Sequence, residues 1–249
     1  MSLGPFQVRW YGLMYVIGFS AAYMLVGQQI KKHNLKKLGT HFENLNFVLI
    51  LSLIIGARLG YAFFYNFSHY IQNPLEVLAI WHGGMSFHGA LIGVLTGGLL
   101  FCRIKGLDFW EVADIYVVTV PIGLGFGRLG NFINGELFGR VSDVPWAMIF
   151  PYGGPLPRHP SQLYECFLEG IVLFSLLWYI KEKKLPTGLM LAVFLLFYGI
   201  FRSFVELFRQ PDPQLGLLIG GLTMGQLLSL AMIMAGIVIF MFKRRTAKI

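Results

Sequence analysis

Seven arginines in this sequence stand apart from its lysines: Arg9, Arg58, Arg128, Arg140, Arg158, Arg202 and Arg209 lie within or beside long apolar runs. A guanidinium offers a planar fork that matches two oxygens of a phosphate, and it keeps its charge at any ordinary pH. A set of such forks at a lipid boundary fits an anionic headgroup as ligand. Arg9 and Arg209, taken alone, have a plainer reading as side chains that snorkel to the interface. Arg128 opens the polar block "GRLGNFINGELFGR", Gly127 to Arg140, which follows the apolar "VVTVPIGLGF". Polar groups at membrane depth usually serve function, so this block is read as a site, with Arg128 at the end of a span and Asn131, Asn134 and Glu136 in the turn beyond it.

A second stripe supports the first. Tyr198, Arg202 and Glu206 recur every four residues and share one helix face, while the other faces of that run are Leu, Phe, Val and Ile. A charge at mid-bilayer costs roughly 2.5–3.5 kcal/mol on insertion scales, so the stripe should face protein. Arg202 and Glu206 either neutralise each other or leave Arg202 to share an anion with Arg128. Arg58, Tyr61 and Tyr65 form another stripe, with Tyr65 an interface anchor and Arg58 either structural or a ligand group. In "WHGGMSFHGALIG" two glycines break the chain before Met85, and His88 follows just inside an apolar run. His88 is either a hydrogen-bonded core residue or a general base. His82 and His88 are six apart, which does not match the four-residue spacing of a helical metal pair, and no metal site is expected. "RHPSQLYE" begins a further helix on which Gln162, Glu165 and Glu169 fall on one side.

Two familiar motifs fail on context. "GFGRLG" fits the dinucleotide fingerprint, but it lies in an apolar span rather than in a soluble strand–turn–helix unit. Ser161 sits in no nucleophile elbow, which argues against a serine hydrolase.

The elements that must position these residues are transmembrane helices. Of the 249 residues, 56% are hydrophobic and only 13% charged, against roughly a quarter charged in soluble domains. Seven apolar runs cover about 10–30, 45–65, 85–102, 110–127, 161–180, 187–207 and 220–242. Thirteen of the 20 Lys and Arg lie in four stretches, "KKHNLKK", "CRIKG", "IKEKK" and "FKRRTAKI", that follow alternate runs. The positive-inside rule then places the N-terminus outside and the C-terminus in the cytoplasm, as an odd number of spans requires. This arrangement, rather than nucleic acid, accounts for the net charge of +8. The first run lacks the flanks of a cleaved signal peptide and is read as a retained span. Cys102 and Cys166 are too few for a disulfide framework and read as small packed hydrophobes. No repeat or matched pair of interrupted segments points to an inverted-repeat transporter. The expected architecture is an all-α integral membrane protein of seven transmembrane helices. Residues 1–249 form one catalytic domain, with a small extracytoplasmic head at about 128–160.

The stretches "RWYGLMY", "GARLGYAFFYN", "WHGGMSFHGALIG", "GRLGNFINGELFGR", "RHPSQLYE" and "YGIFRSFVELFRQPD" together resemble bacterial prolipoprotein diacylglyceryl transferase, from about Trp10 to Gln226. The resemblance implies a multi-pass enzyme of the bacterial plasma (inner) membrane with no cofactor. Its substrates would be phosphatidylglycerol and the signal peptide of a preprolipoprotein. The diacylglyceryl group would pass to the lipobox cysteine thiol, forming a thioether and releasing glycerol phosphate. By the same resemblance Arg128 grips the phosphate, Arg202 is essential, and His88 is the base for the thiol. Tyr11, Asn131, Glu136, Gly139, Tyr198 and Glu206 fall on other site positions, and Arg140 closes the substrate-binding set. The chain departs from better-known members in a short segment from Val141 to Leu156, and in His82 where an acidic or amide residue is expected. Two other classes remain open on the residues alone: a lipid or anion transporter, and a structural helix bundle.

Overall fold

Pro121 decides how the fourth apolar run folds. It has no N–H to give residue 117, and its ring crowds that carbonyl, so one long helix becomes two. α5 (Phe109–Val117) and α6 (Val120–Asn134) meet at 43°. A computed structural model of the chain describes residues 2–3, 6–7, 10–183, 185–211 and 221–246. Besides a two-residue antiparallel pair, Ser2–Leu3 with Phe6–Gln7, its elements are helical. α1 is Trp10–Lys32, α2 Lys36–Phe64, α3 Phe67–Gln72 and α4 Phe87–Lys105. Beyond α6, α7 (Ser161–Glu165) runs through a π-helical segment, Cys166–Val172, into α8 (Leu173–Ile180). α9 is Leu189–Val205 and α10 Met224–Thr246.

Five helices are long and apolar enough to cross a membrane, and the bent α5–α6 pair makes a sixth span if counted as one. α9, with 17 residues, falls short of the others, at the lower limit of what spans a hydrocarbon core. Their surfaces carry exposed Val16, Phe47, Ile92, Ile104, Val238 and Phe242, as helices solvated by lipid do. The apolar spans and their outward faces are those of a multi-pass membrane protein. Two boundaries differ from the sequence expectation. α2 begins at Lys36 rather than near residue 45, and Leu38, Phe42 and Leu45 of its first turns are buried ahead of the apolar stretch. The fourth helix continues seven residues past Gly127, so Asn131 and Asn134 lie on α6 and only Glu136 lies in the turn.

The chain packs as two units, residues 27–112 and residues 1–26 with 113–249. In the first, Ser52, Gly56 and Gly60 recur every four residues on α2, and Gly89, Gly93 and Gly97 do so on α4. These rows face each other so closely that a Cβ on Gly60 would lie 2.7 Å from the Gly89 Cα. Small residues let the two backbones touch where lipid supplies no hydrophobic drive. Arg58, 4% exposed, donates to the carbonyls of Glu76 (2.6 Å), Val77 (2.8 Å), Ala79 (3.0 Å) and Gly84 (3.1 Å), and to that of Gly83. Its guanidinium also lies 5.2 Å from the Tyr70 ring centroid. Every donor is spent on the connection between α3 and α4, which settles the two readings of Arg58 for structure. Arg58→Ala is expected to destabilise the protein by about 3 kcal/mol, since five carbonyls, mostly part-buried, lose a charged donor. Arg58→Lys should recover only part of this, and thermal unfolding in detergent measures both.

In the second unit, Val117 and Val118 pack with Leu173 and Leu177 of α8 and with Met190 and Phe194 of α9. Asp114 of α5 caps α9, accepting from the backbone N–H of Gly188 (2.6 Å) and Leu191 (2.9 Å). α9 and α10 also approach through glycine: a Cβ on Gly199 would lie 2.8 Å from the Ser229 carbonyl oxygen.

Candidate active site

Glu165 ends α7 with its side chain 1% exposed, and three arginines converge on it. Arg128 on α6 pairs through Nε with Oε2. Arg202 on α9 and Arg209 beyond it each place Nη1 3.1 Å from Oε1. Arg202 also pairs through Nη2 with Glu206, at 2.6 Å, and Thr223 donates its hydroxyl to the other Glu206 oxygen at 2.8 Å. In the stripe read on the sixth run Arg202 neutralises Glu206, and it meets Arg128 on the protein's own Glu165 carboxylate. Arg209 is not the interfacial side chain it resembles in sequence. It is 8% exposed and belongs to the cluster.

Helix geometry explains the convergence. α6 approaches the π-helical segment until a Cβ on Gly170 would lie 2.8 Å from the Gly125 Cα. Arg128 stands three residues beyond Gly125, on the same face. Removing two Cβ atoms at the crossing lets the arginine reach Glu165 across it. The site is not sealed: the side chains of Arg128 and Arg202 keep 20% and 13% of their surface exposed, against 1% for Glu165.

The rest of the polar block is tied together by its own hydrogen bonds. α6 ends at Gly135 in the left-handed region, φ 69°, and the Glu136 N–H turns back to the Asn131 carbonyl at 3.0 Å. Glu136 is exposed and accepts from the side-chain amides of Asn131 (3.0 Å) and Asn134 (3.2 Å). Gln162 donates to the Glu136 carbonyl at 2.7 Å. Gly139 lies against Phe208 and His159: its own N–H donates to the His159 carbonyl at 2.9 Å, and a Cβ there would stand 2.7 Å from the same oxygen. Arg140 joins backbone to backbone with Phe208 and donates its Nε to the Arg209 carbonyl at 3.0 Å. Gly139 and Arg140 thus anchor the segment that carries Arg209. Tyr198 stacks on Phe194 with centroids 5.6 Å apart and lies within electrostatic range of Arg128 and Arg202.

His88 belongs to the unit of residues 27–112. It is exposed, in the first turn of α4, edge-on to Phe87, and Ser86 caps that helix through the Gly89 N–H. Arg9 and the side chains of Tyr11 and His82 lie outside the described residues. Among the described residues no group of three His, Cys, Asp or Glu is arranged to hold a metal ion. Sequence reasoning noted the face of Gln162, Glu165 and Glu169 without giving Glu165 a role. The available signal was a row of three polar side chains in an apolar run, all of them 1% exposed or less.

Comparison with known proteins places the whole chain. A family described as prolipoprotein diacylglyceryl transferase matches residues 1–242. The phosphatidylglycerol–prolipoprotein diacylglyceryl transferase of Desulfotalea psychrophila is 59% identical over 249 residues, covering 98% of this chain and 92% of its own. The proteins of the same name from Geobacter sulfurreducens and Bordetella avium are 52% and 51% identical, and cover 94% and 98% of this chain and 90% and 94% of their own.

Proposed function

The chain belongs to the prolipoprotein diacylglyceryl transferase family, and from that premise we propose that Arg128 and Arg202 hold the phosphate of phosphatidylglycerol during the reaction. The protein is a transferase that moves a diacylglyceryl group from phosphatidylglycerol to a prolipoprotein, the first step of lipoprotein maturation. One observation carries the phosphate assignment: both guanidinium groups are fixed on a single buried carboxylate while part of each arginine side chain stays exposed.

The acceptor is the lipobox cysteine of the signal peptide, and its thiolate is the nucleophile. Sulfur attacks the glycerol carbon that carries the phosphate ester. The S–C bond forms, the C–O bond breaks, and the electron pair passes to the departing phosphate oxygen. Glycerol phosphate leaves and a thioether remains. Two pre-aimed forks stabilise the charge on that oxygen, and donors already held in place need no reorganisation as the charge develops. His88 takes the thiol proton. Tyr11, Asn131, Glu136, Gly139, Arg140, Tyr198 and Glu206 complete the substrate site, either at the lipid or by holding the arginines.

Seven spans accommodate this chemistry: the five long helices, the bent α5–α6 pair and α9, with the N-terminus outside and the C-terminus cytoplasmic in the bacterial inner membrane. The clustering of 13 of the 20 Lys and Arg after alternate runs supports that orientation. Residues 1–249 act as one catalytic domain with an outer head at about 128–160.

Purified protein given phosphatidylglycerol and a lipobox peptide should yield a peptide heavier by one diacylglyceryl group. Lipid or anion transport with no such product would overturn the assignment in favour of a transporter. His88→Gln should lower the rate less than loss of either arginine. The loss should vary with pH, as expected of a variant that lacks a general base. An unchanged pH–rate profile would remove His88 as the base.

A further inference from the structure

Glu169 is the one carboxylate of the cluster that the phosphate-binding scheme leaves unused. It lies in the π-helical segment, four residues after Glu165, and is 0% exposed. Neither of its oxygens accepts a hydrogen bond from a described residue. The charged and titratable groups that face it are Glu165 of α7, Arg128 of α6, Tyr198 and Arg202 of α9, and Arg209, with Cys166 on its own segment. Gly170, its neighbour, is the residue that touches Gly125, which brings the Arg128 turn of α6 alongside.

The three carboxylates are not equally supported. Glu165 meets three arginines, and Glu206 meets Arg202 and the Thr223 hydroxyl. Among the described residues Glu169 has only the field of its neighbours. When an added negative charge forces one of them to become neutral, the anion without donors yields first. The charge count makes that event specific. Arg128, Arg202 and Arg209 balance Glu165, Glu206 and an ionised Glu169. A phosphodiester adds one negative charge that nothing in the cluster then cancels, and an uncompensated charge away from water is costly. One proton on Glu169 restores neutrality.

We propose that Glu169 is the proton-exchanging member of the phosphate site: it takes one proton from solvent as an anionic headgroup docks on Arg128 and Arg202, and returns it when the headgroup leaves. This rests on the reading of the two arginines as the phosphate site. The balance is simple, an ionised Glu169, a lipid anion and a proton going to a protonated Glu169 beside the bound anion. Because a proton is consumed, binding weakens as pH rises. Where Glu169 is ionised in the free protein, the dissociation constant should increase about tenfold per pH unit.

The test is calorimetric titration of short-chain phosphatidylglycerol into the purified protein in a zwitterionic detergent, at several pH values and in buffers of different ionisation enthalpy. Phosphatidylcholine serves as the zwitterionic control. Wild-type protein should take up one proton per lipid bound and show the pH slope. Glu169→Gln should take up none, and should bind at every pH as tightly as wild type does at low pH. Binding of phosphatidylglycerol without proton uptake, or a slope that survives in Glu169→Gln, overturns the role of Glu169 and leaves the arginine site standing. Phosphatidylglycerol bound no better than phosphatidylcholine sinks both. If Glu169→Gln does not fold, the proton count on wild-type protein still decides.

Discussion

Arg128→Ala and Arg202→Ala should each lower turnover by roughly a hundredfold or more, the scale of losing a principal electrostatic group in a site of this kind. The two losses should fall mainly on kcat, because the charge they stabilise develops as the C–O bond breaks. Neither variant strips Glu165 of all its partners: without Arg202 it keeps Arg128 and Arg209, and without Arg128 it keeps the other two. The proteins should therefore be recovered folded. Arg202→Lys tests the fork separately from the charge. Arg202 uses one nitrogen for Glu165 and another for Glu206, a bridge that a single ammonium reproduces poorly. Its activity should lie between wild type and Arg202→Ala. Mass-spectrometric product formation at saturating lipid and at limiting lipid separates the two kinetic terms. Wild-type turnover in folded Arg128→Ala would refute the phosphate role.

Glu165→Ala should be the most damaging single change to stability. It removes the carboxylate that Arg128, Arg202 and Arg209 share, and loss of one member of a buried ion pair costs about 3–5 kcal/mol. Glu165→Gln keeps the shape and one carbonyl acceptor but not the charge, so it should unfold at a temperature between those of Glu165→Ala and wild type. The excess of positive charge gives this prediction a second arm. An anion that enters the cluster should stabilise Glu165→Ala more than wild type, by mass action on the folded state. Thermal unfolding with and without phosphatidylglycerol measures it. A Glu165→Ala protein as stable as wild type, and indifferent to the lipid, would show that the arginines are held by something else.

Much of this protein is legible along the chain, because a bilayer imposes strict terms on sequence. An apolar run of about 20 residues has few fates, and an arginine within one must find a partner or a purpose. Hence the helices, their order, and the choice of Arg128 and Arg202 come from local pattern alone. What the pattern could not supply is which side chains meet. Arg58 and Arg128 look alike in their runs, yet one is consumed by five backbone carbonyls and the other reaches a carboxylate. Arg209 reads as an interfacial residue until the bridge between Gly139 and its own backbone turns it inward. Glu165 and Glu169 share a face in sequence, and only packing makes one the hub of three arginines and leaves the other without a donor among the described residues. Periodicity determines the face a residue occupies on its own helix. The partner opposite depends on crossings such as Gly125 on Gly170, where residues far apart in the chain come close enough to pair, and no local pattern encodes that distance.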